Sequence, residues 1–227
     1  MKKLIVLVLV LAFVNGFSQK TEVFEKMEEY GFSSDAIGHG LKDSDATHAF
    51  NLKTTTINGN KTEIEICHFD PIQPVGSKWV LDSHDGNKPT KKQIKKFSKS
   101  HNSESDANGR VDDASWKIVS DDDTYFVVSF KFEKESLPKK HQFLADCTGT
   151  AHFNKKSKTL EKATFVNNGP LHIKFFVVTK LDMFVTYKQV DGNFMIDVES
   201  MKMTVTLLDE QIDIAEKMEY SDYKKVK

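Results

Sequence analysis

Histidine and cysteine often carry catalysis or bind metal ions, and this 227-residue chain has eight histidines and two cysteines. The histidines are His39, His48, His68, His84, His101, His141, His152 and His172. No two of them are spaced as in a His-x-His or His-Glu-x-x-His metal site. The sequence also has no Gly-x-Ser-x-Gly elbow, no Walker A loop and no Gly-x-Gly-x-x-Gly turn. These absences predict that the protein is not an enzyme and uses no cofactor and no metal ion.

The two cysteines are Cys67 and Cys147, and their sequence separation leaves two interpretations open. A disulfide between them is compatible with an exported protein, because oxidising compartments preserve such bonds. The alternative is that both are buried free thiols.

Charge and composition narrow the class of ligand. The chain has 32 basic and 33 acidic residues, for a net charge of −1, so no basic face for a nucleic-acid partner is expected. It contains 17 Phe but only 5 Tyr and 2 Trp. Phe packs without hydrogen bonding, so this composition favours an apolar core or cavity over a polar catalytic cleft.

The first 18 residues have the pattern of a signal peptide. Lys2 and Lys3 precede an apolar run over residues 4–14, which is too short to span a bilayer. Small residues at Gly16 and Ser18 predict cleavage before Gln19. No lipobox cysteine is present, so we expect a periplasmic protein with no transmembrane span, made of one domain over residues 19–227. An uncleaved anchor is the alternative.

The stretch 171–207 organises the chain, because apolar residues recur there at every second position, as in strands with one buried face. Asp191-Gly192-Asn193 supplies the turn of a hairpin within it. The apolar positions are Leu171, Ile173, Phe175, Val177, Met183, Val185, Tyr187, Phe194, Ile196, Val198, Met201, Met203, Val205 and Leu207.

The N-terminal half predicts two helices and a hairpin. Residues 19–30 have helical apolar spacing and end at Gly31, which predicts a lid packed on the body or, alternatively, a membrane anchor. Strands over 48–57 and 62–69 flank Asn58-Gly59-Asn60, a hairpin signal. A short strand over 79–81 follows.

Thr90 is a predicted N-cap for a helix over 91–100, with Ile94 and Phe97 facing inward. Its remaining face is basic and is either simply solvated or makes a weak contact with acidic headgroups. The lysines concerned are Lys91, Lys92, Lys95, Lys96 and Lys99.

Further strands are predicted from Trp116 onward. Phe126, Val128, Phe130 and Phe132 form one apolar row, and a strand over 143–153 has Gly149 at its middle, where a bulge or bend is expected. A strand over 160–166 follows. Residues 212–223 are predicted to be a polar edge strand or a loose tail. The whole pattern predicts an α+β domain, mainly antiparallel β, with a strongly curved sheet that forms a half-open barrel under one or two helices.

The C-terminal half resembles the lipoprotein-localisation-factor superfamily of LolA and LolB type. The resemblance covers about half of the chain and is carried by Phe143-Leu144, Gly149, Leu160, Pro170-Leu171, Tyr187, Asp191-Gly192 and Tyr220-Ser221-Asp222-Tyr223. It implies an unclosed barrel covered by helices, an apolar cavity that holds acyl chains, and a role in sorting outer-membrane lipoproteins.

We therefore expect a non-catalytic periplasmic carrier or binding protein for a lipid or a lipidated partner. The strand alternation predicts a ligand cavity formed by Phe126, Val128, Phe130, Phe175, Val177, Val185, Tyr187, Met201, Met203 and Val205. The alternative for each of these residues is a place in a closed core. An exported hydrolase, or an interaction domain that uses a sheet edge, is the alternative for the whole protein.

Overall fold

The computed structural model describes residues 19–33, 37, 47–101, 109–173, 176–207 and 210–226, so the predicted signal peptide lies outside the described residues. Helix α1 covers residues 19–29 and helix α2 covers Lys91–His101. The strands are β1 His48–Asn58, β2 Lys61–Phe69, β3 Trp79–His84, β4 Lys117–Asp121, β5 Tyr125–Phe130, β6 Cys147–Asn154, β7 Thr159–Asn167, β8 Leu171–Ile173, β9 Phe176–Val190, β10 Asn193–Leu207 and β11 Glu210–Lys225. Short 3-10 helices cover Asp113–Ser115, Lys134–Ser136 and Lys139–Asp146.

All eleven strands belong to one antiparallel sheet. Its order is β3-β2-β1-β11-β10-β9-β7-β6-β5-β4, and β8 pairs with β9 beside this path. The prediction of a mainly antiparallel fold is confirmed, and the sheet is not closed into a barrel.

Two hairpin turns lie where the sequence places them. Asn58 pairs with Lys61 across a turn that contains Gly59, whose φ is 56°. In the β9–β10 turn, Asp191 has a φ of 49° and Gly192 a φ of 81°. Positive φ at both central residues matches the right-handed twist of the flanking strands, and glycine and aspartate tolerate it best.

Strand β11 corrects the prediction for the C-terminal segment. It lies inside the sheet, hydrogen-bonded to β1 on one side and to β10 on the other, so the prediction of an edge strand or loose tail is wrong. Ile212, Ile214, Met218 and Tyr220 share one face of this strand. Except for Glu216, the charged residues between them face the other side, which made the segment look polar as a whole.

Two other predicted strands also differ from the structure. Leu171 pairs with Val178 and Ile173 pairs with Phe176, so the chain reverses between Ile173 and Phe176 instead of running straight over 171–177. The strand predicted to start at residue 143 starts at Cys147 instead, because the preceding Lys139–Asp146 is a 3-10 helix. That helix follows Pro138, which cannot donate a ladder hydrogen bond.

Strand β10 is one continuous strand with an irregularity. Its pairing with β9 shifts between Ile196 and Val198, and from Glu199 onward the odd-numbered residues share the face of Ile196. Val198 therefore lies on the opposite face from Ile196, and the prediction that both belong to one apolar row is wrong.

Helix α1 packs on the half of the sheet formed by β4 to β7. Val23 and Met27 are fully buried, and the ring of Phe24 lies 5.2 Å from that of Trp116. Gly31, with a φ of 78°, ends the helix, and the Phe32 amide donates to the Met27 carbonyl at 2.7 Å. No helix among the described residues is long and apolar enough to cross a membrane.

A charged cluster around Asp121 joins α1 to the sheet. The Asp121 carboxylate accepts hydrogen bonds from Lys26 at 2.7 Å, from Tyr30 at 3.0 Å, and from Lys155. Burial alone would raise the pKa of Asp121, but these hydrogen bonds outweigh it and lower that pKa to about 2. Lys155 also lies 4.2 Å from the centre of the Tyr30 ring.

Helix α2 covers a second, smaller core formed by Leu52, Cys67, Leu81 and Phe97. Phe97 is buried as predicted, but Ile94 is 45% exposed, so its predicted inward orientation is wrong. All five lysines of this helix are exposed.

Both cysteines are buried free thiols, in different cores. Burial raises the pKa of Cys67 to about 12 and that of Cys147 to about 11, so neither is a reactive thiolate at neutral pH.

Gly149 has a different role from the predicted bulge. It pairs regularly with Phe130 on β5 and Phe165 on β7, and the pairing shift in β6 lies later, between His152 and Phe153. A Cβ atom on Gly149 would lie 2.7 Å from the Phe130 ring and 3.0 Å from the Phe165 ring. The missing side chain therefore makes room for two aromatic rings.

Candidate functional site

A cavity of about 500 Å³ lies against the inner face of strands β5 and β7 to β11. The 3-10 helix Lys139–Asp146 and Ile37 complete its wall. Most of the lining is apolar. The lining residues are Ile37, Phe130, Phe132, His141, Phe143, Leu144, Leu160, Ala163, Phe165, Leu171, Ile173, Phe176, Val178, Leu181, Met183, Val185, Tyr187, Ile196, Glu199, Met201, Met203, Glu216, Met218 and Tyr220.

Five of the ten predicted cavity residues line this cavity: Phe130, Val185, Tyr187, Met201 and Met203. The others lie elsewhere. Phe126 and Val128 are completely buried in the core under α1, where the Tyr30 ring lies 5.5 Å from that of Phe126. Val177 and Val205 lie outside the cavity wall, and Phe175 is outside the described residues.

Two acidic side chains lie among the apolar ones. In the β10–β11 pairing, Glu199 is opposite Met218 and Glu216 is opposite Met201, so the two glutamates are diagonal neighbours on one face. Burial, and then the charge of Glu216, raise the pKa of Glu199 to about 7. Thr56 donates a hydrogen bond to Glu216 at 3.3 Å from the neighbouring strand β1.

The phenol of Tyr187 lies on β9, the strand on the other side of β10. Burial and the charge of Glu199 raise the pKa of Tyr187 well above its usual value, so the phenol is neutral. Among the described residues, neither the Tyr187 hydroxyl nor the Glu199 carboxyl has a hydrogen-bond partner. Polar groups in such positions usually have one, so this part of the cavity is open to a polar ligand group.

The sequence reasoning missed Glu199 and Glu216. A signal was present, because Glu199 has the same parity as Met201, Met203 and Val205 on β10. Glu216 likewise has the same parity as Ile214 and Met218 on β11.

A second group of polar side chains lies on β2 and β3. The Nδ1 atom of His84 lies 3.3 Å from Glu65 and its Nε2 atom 3.6 Å from Glu63. Imidazole and carboxylates can bind a divalent cation. The two ring nitrogens face different carboxylates, however, so a His84 side chain that bridges Glu63 and Glu65 fits this geometry better than one ion held by all three.

A more open groove of about 650 Å³ lies beside the β1–β2 turn, between β9, β10 and β11. Its wall includes both charged and apolar residues, among them Lys180, Asp182, Lys202 and Asp213. Thr204 donates to Asp213 at 2.8 Å, so part of this polar surface is already paired within the protein. The apolar cavity is the stronger candidate site.

The described residues thus form a largely apolar cavity with an acidic pair and a phenol in its wall. No protein-family model, no curated protein and no solved structure matches this chain.

Proposed function

We propose that the protein is a non-catalytic binding protein or carrier for an apolar ligand, a lipid or a lipidated partner, held in the 500 Å³ cavity. That cavity is the observation that carries the proposal. Binding sites for small molecules typically measure about 300–1,000 Å³ and are lined mainly by hydrophobic and aromatic side chains with a few polar groups. The volume and lining of this cavity fit that description.

The shape of the sheet belongs to the same proposal. Strands β5 and β11 both contribute to the cavity, although four strands separate them in the sheet. In a flat sheet with strands about 4.8 Å apart they would lie about 24 Å from each other. Their presence around one cavity favours a sheet that curves into a half-open barrel, with the ligand on its concave face.

The flexibility of the wall suits ligands of different length. Met183, Met201, Met203 and Met218 all line the cavity, and methionine adapts to irregular apolar partners because it is unbranched and polarizable. Packed cores use this residue sparingly. A wall with four methionines therefore favours a site that accommodates acyl chains.

The cellular setting is also a proposal. The sequence pattern favours export to the periplasm with cleavage before Gln19, and the resemblance to LolA-type proteins favours a lipid or lipoprotein cargo. Mass analysis of the N-terminus of the periplasmic protein tests the cleavage site, and an intact Met1 contradicts it. The five exposed lysines of α2 provide a basic face for weak contact with acidic headgroups.

Binding of an uncharged apolar dye, such as N-phenylnaphthylamine, tests the carrier function directly. We expect saturable fluorescence enhancement by purified protein, and lipid in organic extracts of protein purified under native conditions. Val185 lines the cavity and is buried, so Val185→Trp should fill it and abolish dye binding.

The matched control is Val166→Trp on β7, because Val166 is 48% exposed and lies outside the cavity wall. It should bind dye as the wild type does. If the folded wild type binds no dye and releases no lipid, the proposed function is wrong. Equal binding by a folded Val185→Trp variant would place the dye elsewhere and contradict the assignment of the cavity.

A further inference from the structure

We propose that the cavity selects amphiphiles whose apolar chain ends in a protonated amine, with the ammonium group bound by Glu199, Glu216 and Tyr187. This inference names the class of ligand and rests on the proposed carrier function.

The charge of the cavity wall is the first argument. Among the described residues that line the cavity, only Glu199 and Glu216 carry carboxylates, and none is a lysine or an arginine. A fatty acid would bring a third carboxylate into this apolar space, where charges interact more strongly than in water. An ammonium group has the opposite sign and compensates the two that are present.

Geometry is the second argument. Diagonal neighbours on adjacent antiparallel strands lie about 7–8 Å apart, so one small group can contact both glutamates. An ammonium group has three N–H donors and no acceptor. The two carboxylates and the Tyr187 hydroxyl oxygen supply three acceptors from three consecutive strands, β11, β10 and β9.

The hydrogen-bonding state of these groups is the third argument. The Glu199 carboxyl and the Tyr187 hydroxyl have no hydrogen-bond partner among the described residues, whereas Glu216 accepts a hydrogen bond from Thr56. A bound ammonium group would satisfy both open groups. Charge-assisted hydrogen bonds are about twice as strong as neutral ones, so an ammonium head group should gain more binding free energy at these two groups than an alcohol does.

The surroundings of Glu199 predict how binding depends on pH. The titratable side chains that line the cavity together with Glu199 are Tyr187 from β9, Glu216 and Tyr220 from β11, and His141 from the 3-10 helix, and Glu63 on β2 pairs with Thr56 on β1. Burial and Glu216 raise the pKa of Glu199 to about 7. The carboxylate therefore becomes protonated as the pH falls below 7, and the preference for an amine should weaken there.

Displacement of the bound dye by dodecylamine, dodecanol and dodecanoic acid tests the inference, since these differ only in the head group. At pH 8 we expect the amine to displace the dye at about tenfold lower concentration than the alcohol, because charge-assisted hydrogen bonds are stronger than neutral ones. Dodecanoic acid should be the weakest competitor. At pH 5.5 the advantage of the amine over the alcohol should fall to about twofold or less.

Glu199→Gln should remove the advantage of the amine over the alcohol at pH 8. Glu216→Gln is the second variant and should reduce the same advantage, so the test does not depend on one variant folding. Glu210→Gln, at an exposed position at the start of β11, is the control and should behave as the wild type does.

The outcomes separate the two proposals. If dodecanol or dodecanoic acid displaces the dye as well as dodecylamine does at pH 8, the amine inference is overturned and the carrier function stands. An amine advantage that persists in both glutamine variants also overturns the inference. If the dye does not bind at all, both proposals fail.

Discussion

Glu199 should make the folded protein less stable at alkaline pH than an uncharged side chain of the same shape would. Its pKa is raised from 4.5 to about 7 in the folded protein, so folding favours the protonated form. The stability penalty appears as the pH rises above 4.5 and is complete above 7. Glu199→Gln keeps the shape of the protonated acid and removes the penalty.

The magnitude follows from the shift in pKa. One pKa unit corresponds to about 1.4 kcal/mol, so the full shift is equivalent to about 3 kcal/mol. Glu199 keeps part of its surface in contact with solvent, and screening should reduce the effect to about 1–2 kcal/mol. A domain of this size gains about 2–4 °C in Tm per kcal/mol, so we expect the variant to melt about 2–8 °C higher at pH 8.

Thermal unfolding of ligand-free wild type, Glu199→Gln and the exposed control Glu210→Gln at pH 8 and pH 4.5 tests this. The gain for Glu199→Gln should be present at pH 8 and nearly absent at pH 4.5, and Glu210→Gln should show none. A Glu199→Gln variant that is less stable than wild type at pH 8, or equally stabilised at both pH values, would refute the assignment of Glu199 to a desolvated site.

Three further predictions concern the packing. Gly149→Val should lower the free energy of unfolding, measured in urea, by about 3 kcal/mol, because the new side chain overlaps two aromatic rings. The control Gly169→Val, at a position with open space around it, should change the free energy of unfolding little. Phe130→Asp should prevent folding, as judged by circular dichroism, because Phe130 is 1% exposed and a buried carboxylate there has no partner. The control Phe194→Asp, at a 41% exposed position, should fold. A folded Phe130→Asp variant would contradict the assignment of Phe130 to the core. Asp121→Asn should lower the free energy of unfolding by about 1 kcal/mol at pH 6. This difference from wild type should shrink between pH 3.8 and pH 2, where the carboxylate that stabilises the fold becomes protonated. A constant difference down to pH 2 would be inconsistent with the charged cluster.

Local signals predicted the elements of the fold better than their arrangement. The β1–β2 and β9–β10 turns and both helices follow from short patterns of glycine, asparagine and apolar spacing. The position of β11 does not, because which strands become neighbours depends on contacts between residues far apart in sequence. The reversal between Ile173 and Phe176 was missed because an uninterrupted alternation looks the same in one strand and in two.

The candidate site was predictable in part for the same reason. Alternation identifies which residues share a face, and five of the residues chosen on that basis line the cavity. It does not distinguish a residue that lines a cavity from one packed under a helix, as Phe126 is under α1. Glu199 was not predicted, because an alternation of apolar residues gives no weight to a polar residue in the same row.

The position of β11 has a consequence for how the protein is made. Among the described residues, the backbone ladders of strands β1 to β3 and of strands β4 to β10 are joined only through β11, the last described strand to be synthesised. A growing chain can form hairpins within each group, but the β1 and β10 edges stay unpaired until residues 210–225 have left the ribosome. The sheet is therefore completed after synthesis of the described chain. A chain that reaches its complete fold so late stays partly unfolded longer.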